Sequence, residues 1–181
     1  MKGKIIFEEE QMFRYTWSYW LLVACTAPIV IGACVGIYQQ IILDSPFGDN
    51  PMSDGTLIIV SVLTCSLLLS ILCLFHFMKL KVTIDQSNIH YSFFPFINCT
   101  KTIHFQDIES AEVITYNPIW DYGGWGYRWH PTNGRAINVK GERGLKIIFK
   151  NGKKLLLGTQ KTYDLRQAVM TLHQNWKNQH G

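Results

Sequence analysis

Two long apolar blocks constrain the fold more than any other feature of this sequence. They occupy residues 17–42 and 57–78, and neither contains an Asp, Glu, Lys or Arg. As helices they would be about 39 Å and about 33 Å long, against a bilayer hydrocarbon core of about 30 Å. The chain is 48% hydrophobic and only 17% charged, which is unusual for a soluble domain. We therefore predict transmembrane helix 1 at 17–42 and transmembrane helix 2 at 57–78.

Positive charge flanks these blocks on one side only. The connector at 43–56 carries three aspartates and no Lys or Arg, whereas basic residues lie before the first block and after the second, at Lys2, Lys4, Arg14, Lys79 and Lys81. Since cytoplasmic flanks of membrane helices are enriched in Lys and Arg, residues 1–16 and 79–181 are predicted to be cytoplasmic and 43–56 extracytoplasmic. The expected location is the inner (plasma) membrane, with two spans and both termini in the cytoplasm.

Residues 79–181 are predicted to form a small separate domain of β-strands. After Met78 the sequence changes from continuously apolar to alternating apolar and polar, which is typical of strands with one buried face. Asn151 and Gly152 form the strongest hairpin signal of the chain. The expected strands are 80–85, 89–94, 100–105, 108–116, 135–140, 145–150 and 153–158.

A C-terminal helix is predicted to follow these strands. Thr162 can cap it, and its apolar residues at helical spacing include Leu165, Leu172 and Trp176. Seven strands in a meander followed by one amphipathic helix is the order of a pleckstrin-homology-like (PH-like) barrel, in which the helix closes an open end. The expected fold class is an α-helical transmembrane hairpin plus an all-β PH-like barrel of about seven strands capped by a C-terminal helix.

Three short segments carry a resemblance to a known family. They are DYGGWGYR at 121–128, AINVKGERGL at 136–145 and LGTQ at 157–160. In these segments the chain resembles bacterial membrane proteins of a GGWG-containing family of unknown function, with two transmembrane helices and a PH-like domain. The resemblance implies the fold and the membrane location. It implies no reaction, cofactor or catalytic residue, because none is assigned to that family.

The segment 117–134 is the main candidate for a functional site. It is expected to be an unstructured connection, and connections of this length are usually functional or disordered. Six aromatic residues in and beside it alternate with glycines; they are Tyr116, Trp120, Tyr122, Trp125, Tyr127 and Trp129. One interpretation is a binding platform, with Arg128 and Arg135 supplying charge. The other is a segment that folds back and seals a barrel end, with the glycines at positive φ.

The candidate ligand-binding residues follow from these features. Arg143 lies in the sequence GERG, which is best interpreted as a polar hairpin turn and alternatively as an anion site. The candidates are Trp120, Asp121, Tyr122, Trp125, Arg128 and Arg143.

No metal site, cofactor or catalytic residue is expected. The six histidines show no metal-ligand spacing, and Asp121 is the only carboxylate of the aromatic segment, so acid–base catalysis by paired carboxylates has no visible partner there. Residues 79–181 hold 14 Lys and Arg against 7 Asp and Glu. Such a charge favours an anionic membrane surface. Nucleic-acid binding is not expected, because no recognition motif accompanies the charge.

These observations leave more than one hypothesis for the function. The first is a non-enzymatic membrane-anchored interaction module that binds a protein partner or a lipid headgroup. The alternative is a membrane-bound enzyme that acts on a lipid or envelope precursor through the aromatic segment 117–134. A structural subunit is a third possibility, in which Gly32, Ala33 and Gly36 form a contact between helices of a homo-oligomer.

Overall fold

The computed structural model describes residues 4–180, with side chains up to residue 175. It divides the chain into two compact units. The helical unit comprises Arg14–Phe77, and the sheet domain comprises the residues up to Phe13 together with those from Met78 onward. The chain therefore passes between the two units at two points, after Phe13 and before Met78.

The helical unit contains the two predicted apolar helices. Helix α1 spans Trp17–Ile37 and continues as a π-helical turn at Tyr38–Ile42, and helix α2 spans Asp54–Phe77. The Thr16 hydroxyl caps α1 by accepting a hydrogen bond from the Tyr19 amide at 3.3 Å. Both helices are long and apolar enough to cross a membrane, by length and composition. Pro28 lies inside α1.

The first sheet contains a strand that the sequence analysis did not predict. Strand β1 is Phe7–Met12, and it precedes β2 (Lys79–Ile84), β3 (Asn88–Phe94) and β4 (Ile97–His104). The order is β1-β2-β3-β4 with antiparallel neighbours. Residues 1–16 are expected to stand apart from the domain, but the part at 7–12 is one of its strands. The helical unit thus lies, in sequence, between two paired strands.

Long-range hydrogen bonds explain why residues 7–12 form a strand of this sheet. The buried Glu9 carboxylate accepts hydrogen bonds from the Thr159 hydroxyl at 2.6 Å and from the Gln160 amide at 2.8 Å. On the opposite face, Glu8 forms a salt bridge with Lys81 at 2.6 Å. The polar residues of this strand therefore have partners on both faces, as buried polar groups require.

The second sheet has an order that differs from the predicted meander. Its strands are β5 (Ile108–Thr115), β6 (Gly126–His130), β7 (Gly134–Asn138), β8 (Arg143–Phe149) and β9 (Lys154–Gly158). The order is β5-β8-β9-β7-β6, with β7 and β9 parallel and the other neighbours antiparallel. The meander prediction is therefore wrong for this sheet, because the β6–β7 hairpin pairs at the far edge of β9.

A C-terminal helix completes the sheet domain. Helix α3 is the short element Pro118–Tyr122, and α4 spans Thr162–His180. Leu165, Ala168 and Leu172 of α4 are buried, and the helix packs against β1, β5 and β8. The side chain of Trp176, which is predicted to belong to the same apolar stripe, lies outside the described residues. The coarse architecture is two long apolar helices, two mostly antiparallel sheets of four and five strands, and a C-terminal helix.

Candidate functional site

The segment 117–134 is folded and is not the unstructured connection expected from the sequence. The Asn117 side chain starts α3 by accepting hydrogen bonds from the amides of Ile119 and Trp120, each at 3.1 Å. The Asp121 carboxylate accepts one from the Asn117 amide at 2.8 Å. Gly123 ends the helix at φ +74°, a left-handed conformation that favours glycine. The Asp121 carboxylate therefore serves to cap the helix.

Tyr122 belongs to a small core of the second sheet. It is 6% exposed and packs with Tyr116, Ala136 and Leu156. The two tyrosine rings meet edge to face with their centroids 5.8 Å apart. Burial raises the pKa of Tyr122, and the charge of Asp121 adds to that effect. Tyr122 thus stabilises the fold and leaves little surface for a ligand.

Tyr116, the partner of Tyr122, is held by a buried hydrogen bond. The Asn138 side-chain amide donates to the Tyr116 hydroxyl at 2.8 Å, and the Asn138 carbonyl oxygen accepts from the Gly126 amide at 2.8 Å. Burial raises the pKa of Tyr116 to about 12, although the hydrogen bond from Asn138 opposes it. Asn138 therefore joins the inserted aromatic segment to strand β7 in the interior of the domain.

Two of the candidate residues make local contacts in the aromatic segment. The half-buried Trp125 indole donates to the Gly141 carbonyl at 3.2 Å. The Arg128 guanidinium donates through Nε to the Trp125 carbonyl at 3.2 Å. The Trp125 bond holds the segment against the β7–β8 turn, and the Arg128 bond is internal to the segment.

The remaining candidates do not form one cluster with them. Trp120 is 84% exposed on α3, and Arg143 is exposed at the start of β8. No hydrogen bond or ion pair connects Asp121, Arg128 and Arg143 in the described part of the chain. Of the predicted binding residues, Trp120 is the aromatic ring most available to a partner.

The structure shows a different candidate site in the sheet domain, a cleft of about 560 Å³. The ends of β6, β7, β8 and β9 meet Tyr91 of β3 there. We call it the basic aromatic cleft and define it by three aromatic and three cationic side chains. They are Tyr91, Trp129, Phe149, Arg135, Lys153 and Lys154.

Strand pairing assembles the basic aromatic cleft. Trp129 is opposite Arg135 in the β6–β7 hairpin, and Arg135 is beside Leu155 in the parallel β7–β9 pair. Gly134 passes so close to β9 that a Cβ there would clash with the Lys154 carbonyl oxygen. The Lys154 ammonium donates to the Thr132 carbonyl at 3.0 Å. The β6–β7 turn is thereby held against β9.

The electrostatics of the cleft favour an anion. No carboxylate is among its described lining residues, and none of its three cations forms a salt bridge within the described residues. Burial raises the pKa of the Tyr91 hydroxyl, an effect that the charge of Arg135 opposes. The Arg135 guanidinium also lies 6.0 Å from the Tyr127 ring centroid. The arrangement can hold a negative group beside flat apolar walls.

Sequence reasoning identified this site only in part. It placed Arg135 beside the aromatic segment, but it did not assign Lys153, Lys154 or Tyr91 to a site. The missing information is the parallel β7–β9 pairing, which brings Arg135 next to the β8–β9 hairpin. The Asn-Gly turn was the available signal, because it places two lysines at the same end of the sheet as Phe149.

An exposed aromatic ridge, which we define by Phe94, Phe96 and Tyr127, lies beside the cleft. Phe96 stacks on Phe93 and on Tyr127, with ring centroids 5.8 Å and 6.2 Å away. Phe96 is 57% exposed, and Phe94 is also exposed. Phe94 pairs with Lys79, the first residue of β2, so the ridge lies at the end of the first sheet where the chain enters and leaves the domain.

Neither similarity to known proteins nor a metal site indicates the function, so the proposal below depends on the geometry of the sheet domain. No family model, curated protein or solved structure matches the chain. Among the described residues, no group of three or more His, Cys, Asp or Glu side chains is placed to hold a metal ion. The expected absence of a cofactor and of catalytic residues stays a prediction.

Proposed function

We propose that the chain is a non-enzymatic membrane-anchored PH-like module that binds a protein partner or a lipid headgroup. The helical unit is the anchor, and the sheet domain is the binding part. The lipid bilayer is the first partner, and α1 and α2 can also contact a second copy of the chain. The location is the inner (plasma) membrane with both termini cytoplasmic, and the chain is a member of the GGWG-containing family that it resembles.

The pairing of β1 with β2 is the observation that carries this proposal. Strand β1 precedes α1, strand β2 follows α2, and their register runs from Phe7 opposite Ile84 to Met12 opposite Lys79. Two strands of one sheet are on the same side of a membrane, so an intervening hairpin has to cross it an even number of times. The basic residues next to the hairpin, Arg14, Lys79 and Lys81, together with the lack of Lys and Arg in the connector at 43–56, support the cytoplasmic side for the sheet domain.

The strand order supports a PH-like barrel with two insertions. Without the helical unit, β1-β2-β3-β4 is an antiparallel meander. Without α3, β6 and β7, the order β5-β8-β9 is a second antiparallel meander, followed by α4. Four strands, three strands and one C-terminal helix are the elements of the PH-like arrangement. The parallel β7–β9 pair then belongs to the second insertion.

Binding is supported over the alternative, an enzyme that acts on a lipid or envelope precursor. The volume of the basic aromatic cleft suits a small molecule as well as a group of a larger ligand. Its described lining residues include no Asp, Glu, His or Cys, and of its groups that could act as acid, base or nucleophile, the Lys154 ammonium is bonded to the Thr132 carbonyl and burial raises the pKa of the Tyr91 hydroxyl. The Asp121 carboxylate of the predicted site is engaged with the Asn117 amide.

Cysteine labelling in intact cells tests the anchor. With the five native cysteines replaced, one Cys is placed in the connector at Ser45, and a matched control Cys is placed at Gln86, an exposed residue between β2 and β3. We expect an impermeant thiol reagent to label position 45 in intact cells and position 86 only after permeabilisation. Labelling of position 86 in intact cells would contradict the proposed topology.

Photo-crosslinking tests the binding part. A photoreactive amino acid is placed at Phe96 on the aromatic ridge, with the same substitution at Gln86 as the control. We expect a protein or lipid adduct at position 96 in living cells that position 86 does not form. Equal adducts at both positions would contradict an interaction surface at the ridge.

A further inference from the structure

Positive charge converges in the basic aromatic cleft without a counter-charge. Arg135 comes from β7, while Lys153 and Lys154 come from the hairpin between β8 and β9. On the first sheet, by contrast, Lys79 and Lys81 form salt bridges with glutamates of β1. Like charges that are brought together repel one another, so an anionic ligand at this position is favoured.

The walls of the cleft add an apolar requirement to the anionic one. Trp129 is 67% exposed, and Tyr91 and Phe149 are half-buried beside it. Aromatic rings at the edge of a cationic site bind a flat or apolar body next to the anion. A small inorganic anion would use the cations and leave these rings without a partner.

The cations favour a phosphate group over a carboxylate. A guanidinium presents a planar fork of donors that matches the oxygens of a carboxylate as well as those of a phosphate, so the preference comes from charge. A phosphate monoester carries a charge of about −1.5 to −2 near pH 7, which matches three cations better than the single charge of a carboxylate. An acidic peptide would present single carboxylates along an extended backbone, whereas this site is one compact cleft.

We propose that the basic aromatic cleft binds a phosphate monoester group attached to an apolar or ring-shaped body. Arg135 and Lys153 hold the phosphate oxygens, Lys154 contributes charge while it is bonded to Thr132, and Trp129 packs against the body of the ligand. The ligand source is a monoester lipid headgroup or a soluble phosphate monoester. This inference rests on the proposed function and deepens it, because it names the ligand class of the binding module.

The test uses the full-length protein in nanodiscs of phosphatidylcholine, labelled with 5-fluorotryptophan. The probe is phenyl phosphate, a soluble monoester with a ring, and the comparison compounds are benzyl alcohol and inorganic phosphate. We expect phenyl phosphate to shift the fluorine resonance of Trp129, assigned by Trp129→Phe, and to bind more tightly than either comparison compound. Equal binding of all three compounds, or no shift at Trp129, overturns the proposal.

A matched pair of arginine variants locates the binding. Arg135→Gln should weaken phenyl phosphate binding by about 10-fold or more, as expected when a charge-assisted hydrogen bond is lost. Arg166→Gln makes the same change in charge at an exposed arginine of α4 outside the cleft, and it should leave the affinity unchanged. Unchanged fluorine resonances of the other tryptophans show that both variants are folded. Equal losses in the two variants would reduce the effect to general electrostatics and overturn the proposal.

Lipid composition then separates the two ligand sources. Nanodiscs that contain phosphatidic acid, a monoester lipid, are compared with nanodiscs that contain the same fraction of phosphatidylglycerol, a diester lipid. A Trp129 shift with phosphatidic acid that Arg135→Gln removes supports the headgroup source, and phenyl phosphate binding without a lipid effect supports the soluble source. Binding of an acidic peptide in preference to phenyl phosphate overturns the proposal. A negative result in these binding experiments would not change the cysteine-labelling result, so failure of the ligand proposal is distinguishable from failure of the proposed membrane anchor.

Discussion

Removal of the Glu9 side chain should destabilise the sheet domain far more than removal of its neighbour Glu8. Glu9 is 4% exposed, and its carboxylate accepts hydrogen bonds from the Thr159 hydroxyl and from the Gln160 amide at 2.6 Å and 2.8 Å. Glu8 is exposed, and its salt bridge to Lys81 is on the solvent side of the same strand. The two substitutions Glu9→Ala and Glu8→Ala are therefore a matched pair.

The structure sets the expected magnitudes. A buried donor that loses its acceptor costs about 1–3 kcal/mol, and a part-buried one costs less. Glu9→Ala removes the acceptor of the buried Thr159 hydroxyl and of the part-buried Gln160 amide, so we expect a loss of about 2–4 kcal/mol in the free energy of unfolding. The ion pair of Glu8 with Lys81 is exposed and screened by solvent, so Glu8→Ala should leave the free energy of unfolding close to that of the wild type. Glu9→Gln should have an intermediate effect, since its amide oxygen can still accept from Gln160.

Pulse proteolysis of the full-length protein in detergent, over a series of urea concentrations, measures both values. Glu9→Ala should also speed hydrogen exchange in peptides that cover β1 and residues 158–161, because those two segments are joined by the lost bonds. A difference below about 0.5 kcal/mol between Glu9→Ala and Glu8→Ala would refute the view that β1 is held in the domain by this carboxylate.

Four further substitutions have definite expected outcomes in the same unfolding assay. Leu172→Ala, at a fully buried position of α4, should cost about 2–5 kcal/mol, and a value near zero would show that the helix is not packed on the sheets. Tyr122→Ala should cost about 3–5 kcal/mol, as for a large buried aromatic, whereas Trp120→Ala at an 84% exposed ring should change the stability by no more than about 0.5 kcal/mol. Similar values for the two would contradict the assignment of Tyr122 to the core and of Trp120 to the surface. Burial alone would raise the pKa of Asp85, but hydrogen bonds from His90 and from two backbone amides outweigh this effect and lower the pKa. The ionised carboxylate therefore stabilises the fold at pH values above its unfolded pKa of about 3.9. Asp85→Asn should therefore cost about 1–3 kcal/mol near pH 7, and its difference from the wild type should disappear as the pH falls through the folded pKa; a cost that does not change with pH would contradict this linkage.

The strands after Met78 that the sequence predicted are those with a local hydrophobic pattern. In β2, Leu80, Val82 and Ile84 alternate with polar residues and are all buried, and the strand begins and ends within one residue of the prediction. The hairpin at Asn151-Gly152 was predicted from two residues, and β8 and β9 pair antiparallel across this turn, with Gly152 at φ +77°. Such signals depend only on neighbours in sequence, because alternation and turn conformation are properties of a few consecutive residues.

Strand β6, which lies in the aromatic segment, was not predicted from the sequence. The segment 117–134, with its glycines and aromatics, was interpreted as a long unstructured connection. Gly126, at φ +112°, is nevertheless the first residue of β6, where its amide donates to the Asn138 side chain. Pairing with β7 decides that a strand forms here, and that pairing involves residues on the far side of a turn.

By itself, the sequence determined the two long apolar helices, the strands with alternating apolar residues and the C-terminal helix, since each of these depends on periodicity along a continuous stretch. Only the tertiary structure decided that Phe7–Met12 is a strand, because its inward-facing Glu9 is stabilised by partners 150 residues away rather than by an apolar pattern. The same holds for the basic aromatic cleft. Arg135, Lys153 and Tyr91 are on separate strands and turns of two sheets, and no local pattern specifies that a parallel β7–β9 pair brings them to one site. A site of this kind results from strand order, which is set by the packing of the whole domain.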